Sequence, residues 1–225
     1  MIAKQIKLIM FDMDGLLIDS ERCMWLINGM EAAKYYGYKP DEEYYRSLMG
    51  MAENIYYEKL VAYFGNDFPV AKISAKVDEL NKKTINNNGI PLMEGVKELL
   101  EFLSTTDIKL SVVTSSPIWL AKKILTSLGI IKYFDSIHTG NEVEKGKPYP
   151  DIYLKVLNDY GYSKEEALIF EDSHNGARAS IAANIKLILV PAVAYLSLED
   201  KKEAYKVLSP INKSIDVIKK LNNIQ

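Results

Sequence analysis

A single cysteine, no basic excess and no long apolar run are what this chain of 225 residues does without. One cysteine, Cys23, excludes an internal disulfide and any multi-cysteine zinc site, and is expected to sit as a small buried hydrophobe beside a helix. Lys and Arg total 28 against 30 Asp and Glu, a formal charge of -2, so nothing in the balance calls for nucleic acid or an anionic membrane surface. Any anionic ligand must therefore be caught locally. No stretch reaches the roughly 18 apolar residues of a membrane span, and the opening apolar run is cut off by Asp12, short of a signal peptide's hydrophobic region; a cytoplasmic protein is expected. Internal repeats, low-complexity tracts and long linkers are also missing. What is present, 48% hydrophobic and 26% charged residues, suffices for a proper core, as one large domain or two small ones.

Five short apolar or β-branched runs stand out: KLIMF (7 to 11), IKLSVVT (108 to 114), FDSIHT (134 to 139), ALIFE (167 to 171) and KLILVP (186 to 191). Short strands alternating with helices predict an α/β fold, a parallel sheet covered on both faces. Val96, Leu99, Leu100 and Leu103 follow helical spacing, as do Ala121, Ile124, Leu125 and Leu128 ahead of Gly129. SKEE at Ser163 to Glu166 reads as a capping box before the fourth strand. Residues 16–88 differ, with helical patterns, no convincing strand, and eight of the fifteen tyrosines. A helical cap inserted at 16–88 into a core of 1–15 and 89–225 is the simplest organisation, and the tyrosines read as helix packing. The joints at Leu16 to Ser20 and Asn86 to Gly89 are hinge candidates for cap closure.

The chemistry gathers where the strands end. Asp12 and Asp14 follow the first strand and point the same way on an extended chain, so they should repel unless something positive holds them. The second strand ends on Thr114, followed by Ser115, Ser116 and Pro117, a strand-to-helix turn that suits phosphate, with Ser116 as a cap and Pro117 at the helix start. Taken alone, the two serines could equally be mere caps. Lys147 lies in a Gly-Lys-Pro loop, where a lysine by itself would ordinarily be solvated, and the fourth strand terminates in Glu171 and Asp172. In an open parallel sheet, ligands bind outside the carboxyl ends of the strands, and Asp12, Asp14, Thr114, Glu171 and Asp172 fall there. Several carboxylates at one sheet edge need a cation, and all-oxygen ligation suits Mg²⁺ held partly through water and phosphate.

DMDG at Asp12 to Gly15, VVTS ending on Thr114 and Ser115, KP at Lys147 and EDS at Glu171 to Ser173 together resemble the haloacid dehalogenase superfamily of phosphotransferases, in its motif order and over nearly the whole chain. The insertion after the first motif looks like the helical cap of the branch containing β-phosphoglucomutases and phosphoglycolate phosphatases. The resemblance implies a Rossmann-like core, Asp12 as nucleophile forming an aspartyl phosphate, and Asp14 as general acid and then base, its backbone carbonyl helping to bind the metal. It also implies that Thr114 and the Ser115 amide hold the phosphoryl oxygens, that Lys147 offsets charge around Asp12, and that Glu171 and Asp172 complete the Mg²⁺ site. The second aspartate looks like the phosphotransferase pattern, so carbon–halogen hydrolysis is not expected.

Phosphatase and mutase differ in whether water or a substrate hydroxyl takes the phosphoryl group. Mutases of this branch resemble DSE..H after the first motif, where this chain has DSERCM and places Met24. In SLMGMAEN, Glu53 stands where mutases resemble a loop with arginine, and a carboxylate would repel a second phosphate. Both departures favour hydrolysis, and the substrate expected is a small phosphate ester, sugar or nucleoside-like; nothing in the sequence demands an oligomer, so a monomer is expected. Arg46, Lys82 and Lys83 could still supply a second anion contact, which keeps the mutase as the alternative. A non-catalytic phosphate sensor is the third reading, against which the intact aspartate pair argues. Asn175 is expected to orient Lys147 or the carboxylates, His174 is a minor candidate for substrate or metal contact, and Arg178 is expected to pair on the surface.

Overall fold

The computed structural model describes residues 4–49, 51, 53–87, 89–192 and 196–224. The core is built on β1 (Leu8–Phe11), β2 (Lys109–Thr114), β3 (Ser136–Thr139), β4 (Ala167–Glu171), β5 (Lys186–Leu189) and β6 (Lys206–Val207), in the order β3-β2-β1-β4-β5-β6. Every pairing is parallel. The five strands expected from apolar runs are all present. β6 was not expected, because two exposed residues pairing at a sheet edge leave no hydrophobic pattern to read. β1 is central and wholly buried, and Phe11 stacks on Phe170 of β4 with ring centroids 5.0 Å apart.

The described chain divides into two compact units, residues 19–91 and the remainder apart from 193–195. Each junction therefore falls three residues later than the 15/16 and 88/89 boundaries read from the sequence. Backbone pairing explains the shift: Ile18 bridges to Asp14 and to Leu92, and the Met93 N–H donates to Leu17 O at 3.0 Å. These bonds keep residues 16–18 with the sheet. Asp19 N–H then donates to Pro91 O at 2.9 Å, so the inserted unit begins and ends side by side.

Within 19–91 a π-helical turn (Glu21–Ile27) runs into α1 (Asn28–Tyr35), followed by α2 (Glu42–Ser47), α3 (Glu53–Phe64) and α4 (Val70–Asn86). Gly50 and Ala52 of the SLMGMAEN loop lie outside the described residues, as does Asn88 of the second joint. The unit has its own core, in which Tyr45, Tyr56 and Tyr57 pack with Leu60, Phe68, Ile73 and Val77, as expected of tyrosines used for helix packing. Cys23 is buried here. Tyr56 donates to Trp25 O at 3.2 Å, whereas the fully buried Tyr45 hydroxyl has no hydrogen-bond partner among the described residues. A buried unmade hydrogen bond costs on the order of 1 kcal/mol or more. Tyr45→Phe, which keeps the ring and deletes that oxygen, is therefore expected to raise the urea midpoint of unfolding; a lowered midpoint would show that the hydroxyl has a stabilising partner.

The core unit is completed by α5 (Val96–Leu103), α6 (Ile118–Ser127), α7 (Asp151–Tyr160), α8 (His174–Ala183), α9 (Leu198–Glu203) and α10 (Ser214–Asn222). In α5 the four residues read as an apolar stripe are all buried. The SKEE segment forms its capping box on a 3₁₀ turn, Lys164–Glu166, that delivers the chain to β4. Tyr153, Val156 and Leu157 of α7 pack with Ile169, Ala177 and Ala183 against the sheet. No helix among the described residues is long and apolar enough to cross a membrane.

Candidate active site

β1 ends in register with its neighbours, and the Asp12 N–H continues the ladder by donating to Phe170 O at 3.0 Å. That places the Asp12 side chain beside the ends of β2 and β4, on residues brought from three distant parts of the chain. Lys147 is the hub. Its side chain is only 5% exposed, and its ammonium donates to Asp12 Oδ1 at 2.6 Å, Glu171 Oε1 at 2.6 Å and Val113 O at 2.9 Å. All three of its hydrogens are thus used. A lysine in a loop is ordinarily solvated; this one is buried because two carboxylates and a strand-end carbonyl make up for lost water.

Asp12, Glu171 and Asp172 form a buried group in which one carboxylate oxygen from each lies within 4.8 Å of the other two. Gly15 lies against this group with a φ of +79°, and a Cβ there would stand 2.2 Å from Asp172 Oδ2. Only glycine fits that close approach in a left-handed conformation. Gly176, in the first turn of α8, does the same for Glu171, whose carboxylate atoms lie 1.8 to 2.0 Å from where a Cβ would be. The group is thus close-packed around its carboxylates. Its donor set is all oxygen, and three acidic groups against one lysine leave negative charge uncompensated, so these residues fit a hard divalent cation.

The electrostatics point the same way. Burial pushes the Asp12 carboxyl up; Lys147 opposes this, Glu171 and Asp14 add to it, and the result is about 8. Burial also works against the Lys147 ammonium, but Asp12 and Glu171 more than offset it and hold its pKa well above the usual lysine range. Without a cation the folded protein thus keeps a proton on Asp12 between about pH 4 and 8 that the unfolded chain releases. Folding takes up a proton there, so stability falls as pH rises through that window, by at most about 1.4 kcal/mol per pH unit. Chelated protein is expected to melt lower at pH 7.5 than at pH 6, and Asp12→Asn to lack that slope. Equal slopes in both proteins would move the proton to another group.

Asp14 behaves differently from Asp12. Its carboxylate accepts from Ser116 Oγ at 2.7 Å and, more weakly, from Thr114 Oγ1 at 3.4 Å, and it is not part of the three-carboxylate group. Only the Asp14 side chain stands apart from that group, which leaves the part given to its backbone carbonyl untouched. The turn at Gly15 and the two hydroxyls aim Asp14 at the β2 end instead. Thr114 is buried and accepts the Ser116 N–H at 3.0 Å, while Ser115 is exposed at the turn. Ser116 was expected to cap α6, but Pro117 occupies that position and no side chain caps the helix, so the Ser116 hydroxyl is free for Asp14.

Two contacts escaped the sequence reading. One is Ser116 on Asp14; the other is Tyr153, whose hydroxyl donates to Glu171 Oε1 at 2.6 Å. Burial and the Glu171 charge push the Tyr153 phenol well above its usual range, which keeps the proton on it. Its one signal in the sequence was a hydroxyl on an otherwise apolar helix face, Ile152, Tyr153, Val156 and Leu157. Asn175, expected to orient Lys147 or the carboxylates, is exposed and is not one of the three acceptors of Lys147. The His174 ring nitrogen Nδ1 meets Asp200 Oδ2 at 2.6 Å, where Asp200 completes the capping box that Ser197 opens on α9, and Arg178 pairs with Glu203 at 3.0 Å.

A family model described as haloacid dehalogenase-like hydrolase matches residues 9–190. Among curated proteins, a phosphorylated carbohydrates phosphatase of Thermotoga maritima is 34% identical over 180 residues, covering 80% of this chain and 82% of that protein. A solved T. maritima structure, provisionally named a β-phosphoglucomutase, has a TM-score of 0.80 at 29% identity and covers 96% of this chain and 99% of its own. CbbY of Rhodobacter sphaeroides, solved with phosphate, has a TM-score of 0.68 at 26% identity, covering 93% and 96% of the two chains.

Proposed function

Since the chain belongs to the haloacid dehalogenase-like hydrolases, we propose that it is a Mg²⁺-dependent phosphatase of small phosphorylated metabolites, sugar or nucleoside-like phosphates, working through an aspartyl phosphate on Asp12. The observation that carries this reading is Asp12 itself. It is a buried carboxylate tied to Lys147 at 2.6 Å and grouped with Glu171 and Asp172 at the carboxyl edge of the sheet. A phosphatase relative that acts on phosphorylated carbohydrates and a CbbY structure holding phosphate support the substrate class.

In this reading one Asp12 oxygen attacks phosphorus, the bond from phosphorus to the ester oxygen breaks, and Asp14 protonates the departing alkoxide. Asp14 then takes a proton from water, which attacks the aspartyl phosphate and releases inorganic phosphate with Asp12 restored. Ser116 and Thr114 hold Asp14 toward the β2 end, where the leaving group would sit. Thr114 and the Ser115 amide orient the phosphoryl oxygens while Lys147 offsets charge around Asp12, the work on which phosphoryl transfer mostly depends. Asp12, Glu171, Asp172 and the Asp14 carbonyl would hold Mg²⁺, which when bound supplies charge neutralisation at the phosphoryl group.

A mutase is the second reading, favoured by the β-phosphoglucomutase name of one structural relative. Met24 and Glu53, where mutases resemble histidine and arginine, weigh toward hydrolysis. The test is a screen of phosphorylated metabolites for free phosphate, run beside isomerisation of β-glucose 1-phosphate. Phosphate release that stops with EDTA and returns with Mg²⁺ is expected. Isomerisation without phosphate release would make the chain a mutase, and release indifferent to EDTA would remove the metal.

A further inference from the structure

Glu171 is committed before any cation arrives. Its Oε1 accepts two hydrogen bonds of 2.6 Å, from Lys147 Nζ and from the Tyr153 hydroxyl, while Ser173 Oγ donates to Oε2 at 3.1 Å. Both Glu171 and Tyr153 are fully buried, and Lys147 Nζ also stands 5.3 Å from the centroid of the Tyr153 ring. A line of contacts thus runs from the α7 phenol through Glu171 and Lys147 to Asp12. Pure packing does not account for the hydroxyl, since a phenylalanine would fill the same space without needing an acceptor. We propose that Tyr153 is a positioning residue, its hydroxyl fixing the Glu171 carboxylate so that Lys147 is shared between Glu171 and Asp12 and Glu171 stays placed for a divalent cation.

The physical basis is the orientation of an ion-binding carboxylate by a neutral donor. Without the phenol, Oε1 keeps only the lysine, its charge falls wholly on that ammonium, and Lys147 is drawn from Asp12. The carboxylate also gains freedom to turn about its last bond. The inference rests on the proposed roles of Asp12, Glu171 and Asp172, so its test includes a readout that does not need turnover.

Tyr153→Phe retains the ring that packs in α7 and loses only the donor. Titrated with Mn²⁺ alone, this variant is expected to bind about tenfold more weakly than the wild type. At saturating Mg²⁺ its kcat for p-nitrophenyl phosphate should fall by about tenfold while KM stays within about twofold, a split that loosened packing does not produce. Tyr153→4-aminophenylalanine, which restores an N–H donor at the same place, should recover most of both losses. Mn²⁺ affinity and kcat within about twofold of wild type in the phenylalanine variant would overturn the inference, as would a 4-aminophenylalanine protein no better than the phenylalanine one. Should the wild type turn over no ester at all, the proposed function falls, and the Mn²⁺ titrations still decide the role of Tyr153.

Discussion

Replacing Asp12 by asparagine is expected to lower turnover by about four orders of magnitude or more while the protein stays folded. The amide matches the carboxylate in shape, and its oxygen can still accept from Lys147, which now donates to Asp12 Oδ1 at 2.6 Å. What it loses is the anionic oxygen that would attack phosphorus. The substitution also removes one of three acidic groups crowded within 4.8 Å, so the melting temperature of chelated protein should hold or rise. Phosphate release and a thermal melt on the same preparation check both statements. Turnover within tenfold of the wild type would show that some other group forms the covalent bond, or that water attacks directly.

Gly176→Ala is expected to be strongly destabilising. Its Cβ would fall 1.8 to 2.0 Å from the carboxylate atoms of Glu171, so one side must move. A carboxylate at the end of a flexible side chain could usually swing away. Glu171 is instead held by Lys147, Tyr153 and Ser173. Retreat would strand the buried Lys147 with one charged partner fewer, a loss of roughly 3–5 kcal/mol when a buried ion pair is broken on one side. Retreat of α8 would loosen the Ser173 cap, whose Oγ accepts from the Gly176 N–H at 3.1 Å, at a cost of about 1 kcal/mol. Either route predicts a large drop in the urea midpoint together with weakened divalent-ion binding. An alanine protein as stable as wild type would mean that Glu171 is far more mobile than its three donors imply.

The strands of the sheet were readable because burial on both faces leaves an unbroken apolar run, as in LIMF and ALIFE. Their carboxyl ends were readable for the same reason in reverse: a polar residue ending such a run marks the sheet edge, and Asp12, Thr114, Glu171 and Asp172 are all buried there. β6 could not be read, since its two residues carry no pattern, and the unit boundaries moved three residues because main-chain bridges at Ile18 leave no trace in side-chain type. Ser116 was given to a helix cap because a serine before Pro117 reads that way locally; its pairing with a residue 102 positions earlier is a tertiary fact. Tyr153 hid inside an apolar helix face for the same reason. Lys147 taken alone reads as a solvated loop lysine and gains its place beside Asp12 only from the motif resemblance; the burial of its neighbours shows why it is not solvated.

The side-by-side backbone of Asp19 and Pro91 makes the stretch between them a cassette with a closed neck. Asp12, Asp14, Thr114, Lys147, Glu171 and Asp172 are all encoded outside it. A gene could therefore exchange the whole insert, or seal the neck with a tight turn, and leave these six residues encoded on the same segments. Diversification by cutting and joining at these two points would leave the proposed site to be inherited intact.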